Sequence, residues 1–311
     1  ILGIEDLVID SPDLYLPHKE LLNRNFVLVP MAEIAPNWLH PLTKKTAKEL
    51  AESISQNGLS LLKKISLVGI INITPDSFSD GGVNFDPKAA LANIQQLLED
   101  GADIIDIGAE STRPNATPIS HEEEWSRLEP VLRGLTGFSI PISVDTRHAQ
   151  TAKKALELGV NWINDVSGFA NPEMVSAVLE SDCKLVVMHS LTVPANKNIV
   201  LPLDSDPVES LINWAKERFA ELEKAGISRN RIIFDAGIGF GKNPEQSMTI
   251  INGIARLKEL SVPILIGHSR KSFLGSDAGD DATIKLSQFL AENGVDYLRV
   301  HNVKRHRLEM L

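Results

Sequence analysis

Cysteine is almost absent from this chain. Cys183 stands alone among 311 residues, so no internal disulfide can form, and no cluster of Cys and His suggests zinc. Long apolar runs are missing too. Nothing approaches the roughly 20 residues of a membrane-spanning helix, and Ile1-Leu2-Gly3-Ile4-Glu5 lacks the basic-then-apolar form of a secretory leader. A cytoplasmic setting is expected. Basic residues are scarce, 31 against 41 acidic ones for a net charge of −10. That balance argues against a wrapped nucleic acid or an anionic membrane as partner. Glycine (20) and proline (17) are too few for a collagen-like or low-complexity chain, and 43% hydrophobic residues suit an ordinary globular protein. Because the first residue is Ile rather than Met, the sequence is expected to begin inside a longer natural chain.

What is present from about residue 66 onward is one repeated pattern: a short β-branched run ending in polar residues, then an amphipathic helical stretch. The runs are Ser66 to Thr74, Ile104 to Ala109, Pro141 to Thr146, Trp162 to Val166, Lys184 to Ser190, Arg231 to Ile238, Pro263 to Ser269 and Tyr297 to Val303. Near-continuous Val/Ile/Leu is what strands buried on both faces require. Asp86-Pro87, Asn171-Pro172, Asp206-Pro207 and Asn243-Pro244 each supply an N-cap acceptor and a proline at the first helical position. Gly101, Gly159, Gly226 and Gly294 mark helix ends. Eight such units over about 245 residues predict a (β/α)8 TIM barrel. No strand precedes a G-x-G-x-x-G fingerprint, which disfavours a doubly wound open sheet.

Residues 1 to about 63 break this rhythm. They hold a proline-punctuated stretch from Leu16 to Pro41, then a helical run over Lys44 to Ile54. They are too short to bury a sizeable core alone. The expected organisation is a fragment of another domain over 1–55, a linker over 56–65 and the barrel over 66–311.

A barrel collects its reactive groups at the carboxyl ends of its strands. Those positions hold Asn72, Asp106, Glu110, Thr112, Arg113, Asp145, Asn164, Asp165, His189, Asp235, Lys271, Arg299 and His301. Amides and carboxylates suit a planar, donor-rich heterocycle; Arg, His and Lys suit an anion; Asn and Asp oxygens suit Mg2+. Each group alone has a plainer role. Asp145, Asn164 or Asp235 would serve as a hydrogen-bond hub, His189 as a satisfied interior histidine, Glu110 as a loop cap, and Cys183 as a packed thiol. Glu122-Glu123-Glu124 reads as a solvated helix start that suits the dipole. Gly239-Phe240-Gly241-Lys242 lacks Walker A spacing and is a weak phosphate-loop signal. Polar groups at the ends of all eight strands are much harder to explain as packing.

These residues carry a family resemblance. Gly69-Ile70-Ile71-Asn72-Ile73-Thr74-Pro75-Asp76-Ser77-Phe78-Ser79-Asp80-Gly81-Gly82 resembles the first signature of the dihydropteroate synthases, and Ile105-Asp106-Ile107-Gly108-Ala109-Glu110-Ser111-Thr112-Arg113-Pro114 the second. Ser143 to Thr146, Ile163 to Asp165, Asp235 to Lys242, Ser269 to Ser272 and Arg299 to His301 follow in family order. The resemblance covers residues 66–311. It implies that 4-aminobenzoate is joined to a dihydropterin-hydroxymethyl diphosphate, with diphosphate released. Asp145, Asn164, Asp235, Lys271 and Arg299 would then hold the pterin, with Lys271 also able to stack on Arg299. Asn72, Arg113, Arg299 and His301 would hold the diphosphate, with Mg2+ on Asn72. Phe78, Thr112, Pro114, Phe240 and Ser272 would line the aminobenzoate pocket. A homodimer is the family expectation, and the loops over about 73–83 and 111–119, rich in Gly, Pro, Ser and Thr, are expected to be mobile and to close over substrates.

Leu16-Pro17-His18, Arg24 to Pro30 and Glu33 to Pro36 resemble the end of hydroxymethyldihydropterin pyrophosphokinase. That likeness implies a partial α+β, ferredoxin-like fragment in which His18 and Arg24 contact ATP. The acidic metal-binding pair of that family would lie before Ile1, so this piece alone should be inactive. Two departures stand out. Only Leu59 to Lys64 is available for the hairpin that plugs the barrel bottom, and the spacing from Lys271 to Arg299 is short around Gly275 to Asp281. Rival readings are a pterin-binding corrinoid methyltransferase, a non-catalytic folate-binding barrel, and a front segment that is only an interaction arm. Thr74 to Gly82 and Ser269 to Ser272 argue against the methyltransferase, which needs neither an aminobenzoate pocket nor a diphosphate clamp.

Overall fold

The computed structural model describes residues 7–11, 14–18, 21–23, 25–55, 65–74, 86–112, 116–196, 198–269, 271 and 279–310. The chain divides into two compact units, residues 1–64 and 65–311.

In the first unit, β1 (Ile9–Asp10) and β2 (Tyr15–Leu16) form an antiparallel ribbon, followed by helices α1 (Asn25–Ile34) and α2 (Ala47–Ser55). Leu21, Leu28 and Leu50 make their shared core, with Met31 and Trp38 packed against it. A helix within the proline-punctuated stretch departs from expectation. Pro30 lies inside α1, where a missing N–H and a ring clash cost about 3 kcal/mol. Full burial of Leu28 works against that cost. Helix α2 starts at Ala47 rather than Lys44 because Thr46 closes a capping box. Thr46 Oγ1 accepts from Glu49 N at 3.1 Å, and Glu49 Oε2 accepts from Thr46 N at 2.8 Å.

The second unit is the predicted barrel. Its strands are β3 (Ser66–Asn72), β4 (Ile104–Gly108), β5 (Ile142–Asp145), β6 (Trp162–Asp165), β7 (Lys184–Met188), β8 (Ile232–Asp235), β9 (Ile264–Ile266) and β10 (Tyr297–Val300). All neighbours pair in parallel and in chain order, and β10 returns to β3. Closure leaves no strand edge open. Helices α3 (Pro87–Glu99), α4 (His121–Gly134), α5 (Ala149–Glu157), α6 (Pro172–Leu179), α7 (Pro207–Lys224), α8 (Pro244–Asn252), α9 (Asp280–Glu292) and α10 (Val303–Glu309) alternate with them. The four Asx-Pro pairs cap as expected. Asp86, Asn171 and Asp206 accept from the backbone of Lys88, Glu173 and Val208, and Asn243 forms a capping box with Gln246. The glycine stops follow α3, α5, α7 and α9. Among the described residues no helix is long and apolar enough to cross a membrane.

Side-chain parity positions the site. Inside the barrel Val68, Ile104, Trp162, Val186, Ile233 and Leu265 form one apolar layer, with Tyr297 against it. Trp162 and Tyr297 meet edge to face at 5.1 Å between centroids. Strand side chains alternate, so the second residue onward faces the same interior. Those next positions are Asp106, Asn164, Asp235 and Arg299. Asn72 lies one further step along β3, and Asp145 lies across from Asn164. The opposite parity, including Ile105, Val144, Ile163, Val187 and Phe234, packs under the helices.

Candidate active site

The polar layer is held together by charge. Arg299 Nε donates to Asp106 Oδ2 at 2.6 Å and Arg299 Nη2 to Asp145 Oδ2 at 2.8 Å. Asn164 Nδ2 reaches Asp106 Oδ2 at 3.4 Å. Asp106 has 1% of its surface exposed, whereas the Arg299 and Asp145 side chains keep 20% and 18%, so the cluster opens toward the mouth. Gly108 makes room for it: a Cβ there would lie 3.3 Å from Asp145 Cβ.

Electrostatics follow from depth. Burial pushes the Asp145 carboxyl up to about 7, with Arg299 opposing. Burial also raises Asp235, against the pull of Lys271. It lowers Lys271 to about 8, with Asp235 acting the other way. For Arg299, burial works against the charge, but Asp106 and Asp145 outweigh it and hold the guanidinium above its ordinary value. The mouth therefore keeps a permanent cation beside the Asp145 carboxyl, which changes protonation near neutrality.

The β8–α8 loop supplies the opposite wall. Asp235 Oδ1 accepts from Gly237 N at 2.8 Å. Lys271 Nζ donates to Ile238 O and lies 4.7 Å from the centroid of the Phe240 ring. Its aromatic neighbour is thus Phe240, whereas stacking on Arg299 was expected. His301 Nδ1 lies 3.0 Å from Ser269 Oγ.

The structure thus brings Asp145, Asn164 and Arg299 into one hydrogen-bonded cluster, puts Asp235, Lys271 and Phe240 on a second, and places Asn72 and His301 at strand ends on the same rim. Thr112 lines a cleft with Glu110, Pro118, Arg147 and Pro194. Phe78, Arg113, Pro114 and Ser272 lie outside the described residues, as do residues 75–83 and 113–115 of the two loops expected to move. In the first unit His18 is half-buried, and Arg24 is outside the described residues.

Several plain readings need correction. Glu124 is no solvated helix residue: it is fully buried, its Oε2 accepts from Thr146 Oγ1 at 2.7 Å, and burial raises its carboxyl to about 7 despite Thr151 and Thr146. The acidic run at 122–124 hid this because three identical letters do not show which one faces inward. Lys242 is not a phosphate ligand; its ammonium is consumed by His189, Gly237 and Phe240. Glu110 does tie its loop, accepting from Ile119 N at 3.1 Å and pairing with Arg147 at 2.7 and 2.8 Å. Glu110, Glu124 and His148 approach one another closely, but both Glu110 oxygens are already taken by Arg147. Asp106 was a rim residue without a role. Its parity with Ile104 was the signal that it faces the barrel axis beside Arg299.

A family profile described as pterin binding enzyme matches residues 68–301, and the chain belongs to that family. A type-3 dihydropteroate synthase of Escherichia coli is 42% identical over 250 residues, covering 76% of this chain and 94% of that protein. A folate synthesis bifunctional protein of Chlamydia muridarum is 37% identical and covers 94% of this chain and 70% of that one. The crystal structure of dihydropteroate synthase from Anaplasma phagocytophilum with bound 6-hydroxymethylpterin-monophosphate superimposes with a TM-score of 0.72 at 42% identity, covering 79% of this chain and 97% of that one. Within the pterin-binding enzymes, this chain is a dihydropteroate synthase, a transferase of folate biosynthesis acting on small molecules.

Proposed function

We propose that the barrel mouth binds a 6-hydroxymethyl-7,8-dihydropterin diphosphate and 4-aminobenzoate and joins them into 7,8-dihydropteroate. The observation that carries this is the buried Asp106–Arg299–Asp145 cluster facing Asp235 and Lys271. Acceptors on one side and a lysine on the other suit the amino-pyrimidinone edge of a pterin. The Anaplasma relative holds a pterin monophosphate, which is this substrate class.

In this reading Asp145, Asn164 and Asp235 accept from the pterin's N–H groups, and Lys271 donates to its carbonyl or ring nitrogen. Arg299 spends Nε and one Nη2 proton on carboxylates, so its remaining donors face the diphosphate with His301 and Arg113. The carbon–oxygen bond breaks with its electron pair leaving on the diphosphate. Asp145, next to the developing methylene cation, stabilises it. The aminobenzoate nitrogen forms the new carbon–nitrogen bond and then loses a proton. That step needs orientation more than a strong base, and Phe240 with Thr112, Phe78, Pro114 and Ser272 provides it. Asn72 offers one neutral amide oxygen at the strand end, a donor set that suits Mg2+ shared with substrate phosphates. When bound there, the ion would neutralise charge on the departing diphosphate.

Diphosphate release from the two substrates tests the reaction, and Asp145→Ala and Lys271→Ala test the site. Both variants should lose at least about 100-fold in kcat/KM; turnover near that of the parent in both would overturn the assignment. A methyl transfer to a corrinoid without diphosphate formation would favour the rival barrel enzyme.

For residues 1–55 we propose the end of a pyrophosphokinase, with His18 and Arg24 toward ATP, a linker over 56–65 and the synthase from 66. The bifunctional Chlamydia relative supports this arrangement. Restoring the upstream sequence should yield ATP-dependent pyrophosphoryl transfer to hydroxymethyldihydropterin, and no such transfer would refute the fusion. We further take the enzyme to be a cytoplasmic homodimer, which fractionation and light scattering would check.

A further inference from the structure

Lys242 is a buried lysine with no role in the chemistry above, and burial pushes its amine well below the usual lysine range against the pull of Asp235. It lies between β8 and α8 with 5% of its surface exposed. Its Nζ has four acceptors: His189 Nδ1 at 2.7 Å, His189 O at 3.0 Å, Gly237 O at 2.9 Å and Phe240 O at 3.0 Å. Even a full ammonium has only three N–H groups, so every donor is used inside the protein. A buried amine needs such partners, and acceptors converging on one point need a donor between them, because their dipoles otherwise repel across a dry gap.

The convergence is built in. Gly237 has φ +59° and presses so close to the end of β7 that a Cβ would lie 1.9 Å from His189 O. Phe240 N donates back to Gly237 O at 2.9 Å, so the turn between them aims both carbonyls at Lys242. His189 is held at the strand end, its N donating to Asp235 O at 3.0 Å and its ring edge-on to Trp214 at 4.9 Å. Burial and the neighbouring Lys242 charge drive the imidazole down to about 2, leaving a neutral ring whose Nδ1 accepts.

The same turn presents two groups outward. Ile238 O accepts from Lys271 Nζ, and the Phe240 ring lies beneath the same ammonium. We propose that Lys242 is a positioning residue of the synthase: as an internal hydrogen-bond donor it fixes the Gly237–Phe240 turn, and through Ile238 O and Phe240 it sets where Lys271 stands in the pterin site. This rests on the reading of Lys271 as a pterin contact.

A double-mutant cycle in the whole chain tests the proposal. Lys242→Met keeps the side-chain length and removes every donor. It should raise KM for the pterin diphosphate about tenfold in the parent background and by less than about twofold in Lys271→Ala, since the effect passes through Lys271. KM does not depend on the fraction of folded enzyme, so a merely structural lysine would lower maximal velocity and leave KM unchanged. An unchanged KM, or an equal rise in both backgrounds, overturns the proposal. His189→Phe keeps an aromatic ring against Trp214 and removes both ring nitrogens, Nδ1 among them, so it carries the same cycle with a rise of about threefold should Lys242→Met not fold. If Lys271→Ala itself leaves KM and turnover at parental values, the pterin-site reading fails instead, which is a separate outcome.

Discussion

Replacing Arg299 with methionine would strip the barrel mouth of the charge that two carboxyls share. Methionine matches the apolar stem but leaves Asp106 facing Asp145 with no cation between them. Removing one partner of a buried ion pair costs about 3–5 kcal/mol, and the Arg299 side chain, 20% exposed, is too enclosed for water to screen much of it. For a barrel of this size that corresponds to a melting point lower by about 6–20 °C. The loss should depend on pH. Asp145 already stands at about 7 against an ordinary 3.8, with burial raising it and Arg299 opposing. An acid whose folded pKa lies above its unfolded one helps the fold while protonated, and that help fades as pH rises from about 4 through about 7. Without Arg299 the carboxyl moves higher still, so the extra penalty opens as pH rises above about 7, where the parent's carboxyl ionises and the variant's does not. Calorimetry should therefore show a larger loss at pH 8 than at pH 5. An equal loss at both would refute the reasoning, because it would mean that packing rather than charge decides the cost.

Glu124→Gln should act in the opposite direction. Burial raises this carboxyl to about 7 from 4.5, so the neutral isostere should melt higher than the parent at pH 8, by about 1–3 kcal/mol of stability, and no higher at pH 5. Gly237→Ala should give little soluble enzyme, since its Cβ would meet His189 O at 1.9 Å at a left-handed φ; normal yield and turnover would argue against the tight turn. Phe240→Leu should keep the fold and lower kcat/KM for aminobenzoate by about threefold to tenfold, as steady-state kinetics would show.

Much of this architecture was legible from periodicity. Each run of Val, Ile and Leu became a barrel strand, and each Asx-Pro pair became a helix cap, because both signals are local and act through backbone geometry. The resemblance then named the residues at the mouth, and Asp145, Asn164, Asp235, Lys271 and Arg299 do share one rim. Less visible was anything that depends on which neighbour a side chain meets across the fold. Lys242 carried only a weak phosphate-loop signal, from Gly239 and Gly241 just before it in sequence. Its true partner His189 lies 53 positions away. Glu124 looked solvated because the helix phase of an all-acidic run carries no hydrophobic contrast. The proline-punctuated stretch did not announce α1, which holds Pro30 in its interior beside the fully buried Leu28.

The edge-to-face pair of Trp162 and Tyr297 has a kinetic consequence. Together with Val68, Ile104 and their layer it stoppers the barrel axis below the polar cluster among the described residues. A molecule seated on that floor is expected to arrive ahead of one that covers it, and product-inhibition kinetics would check the order.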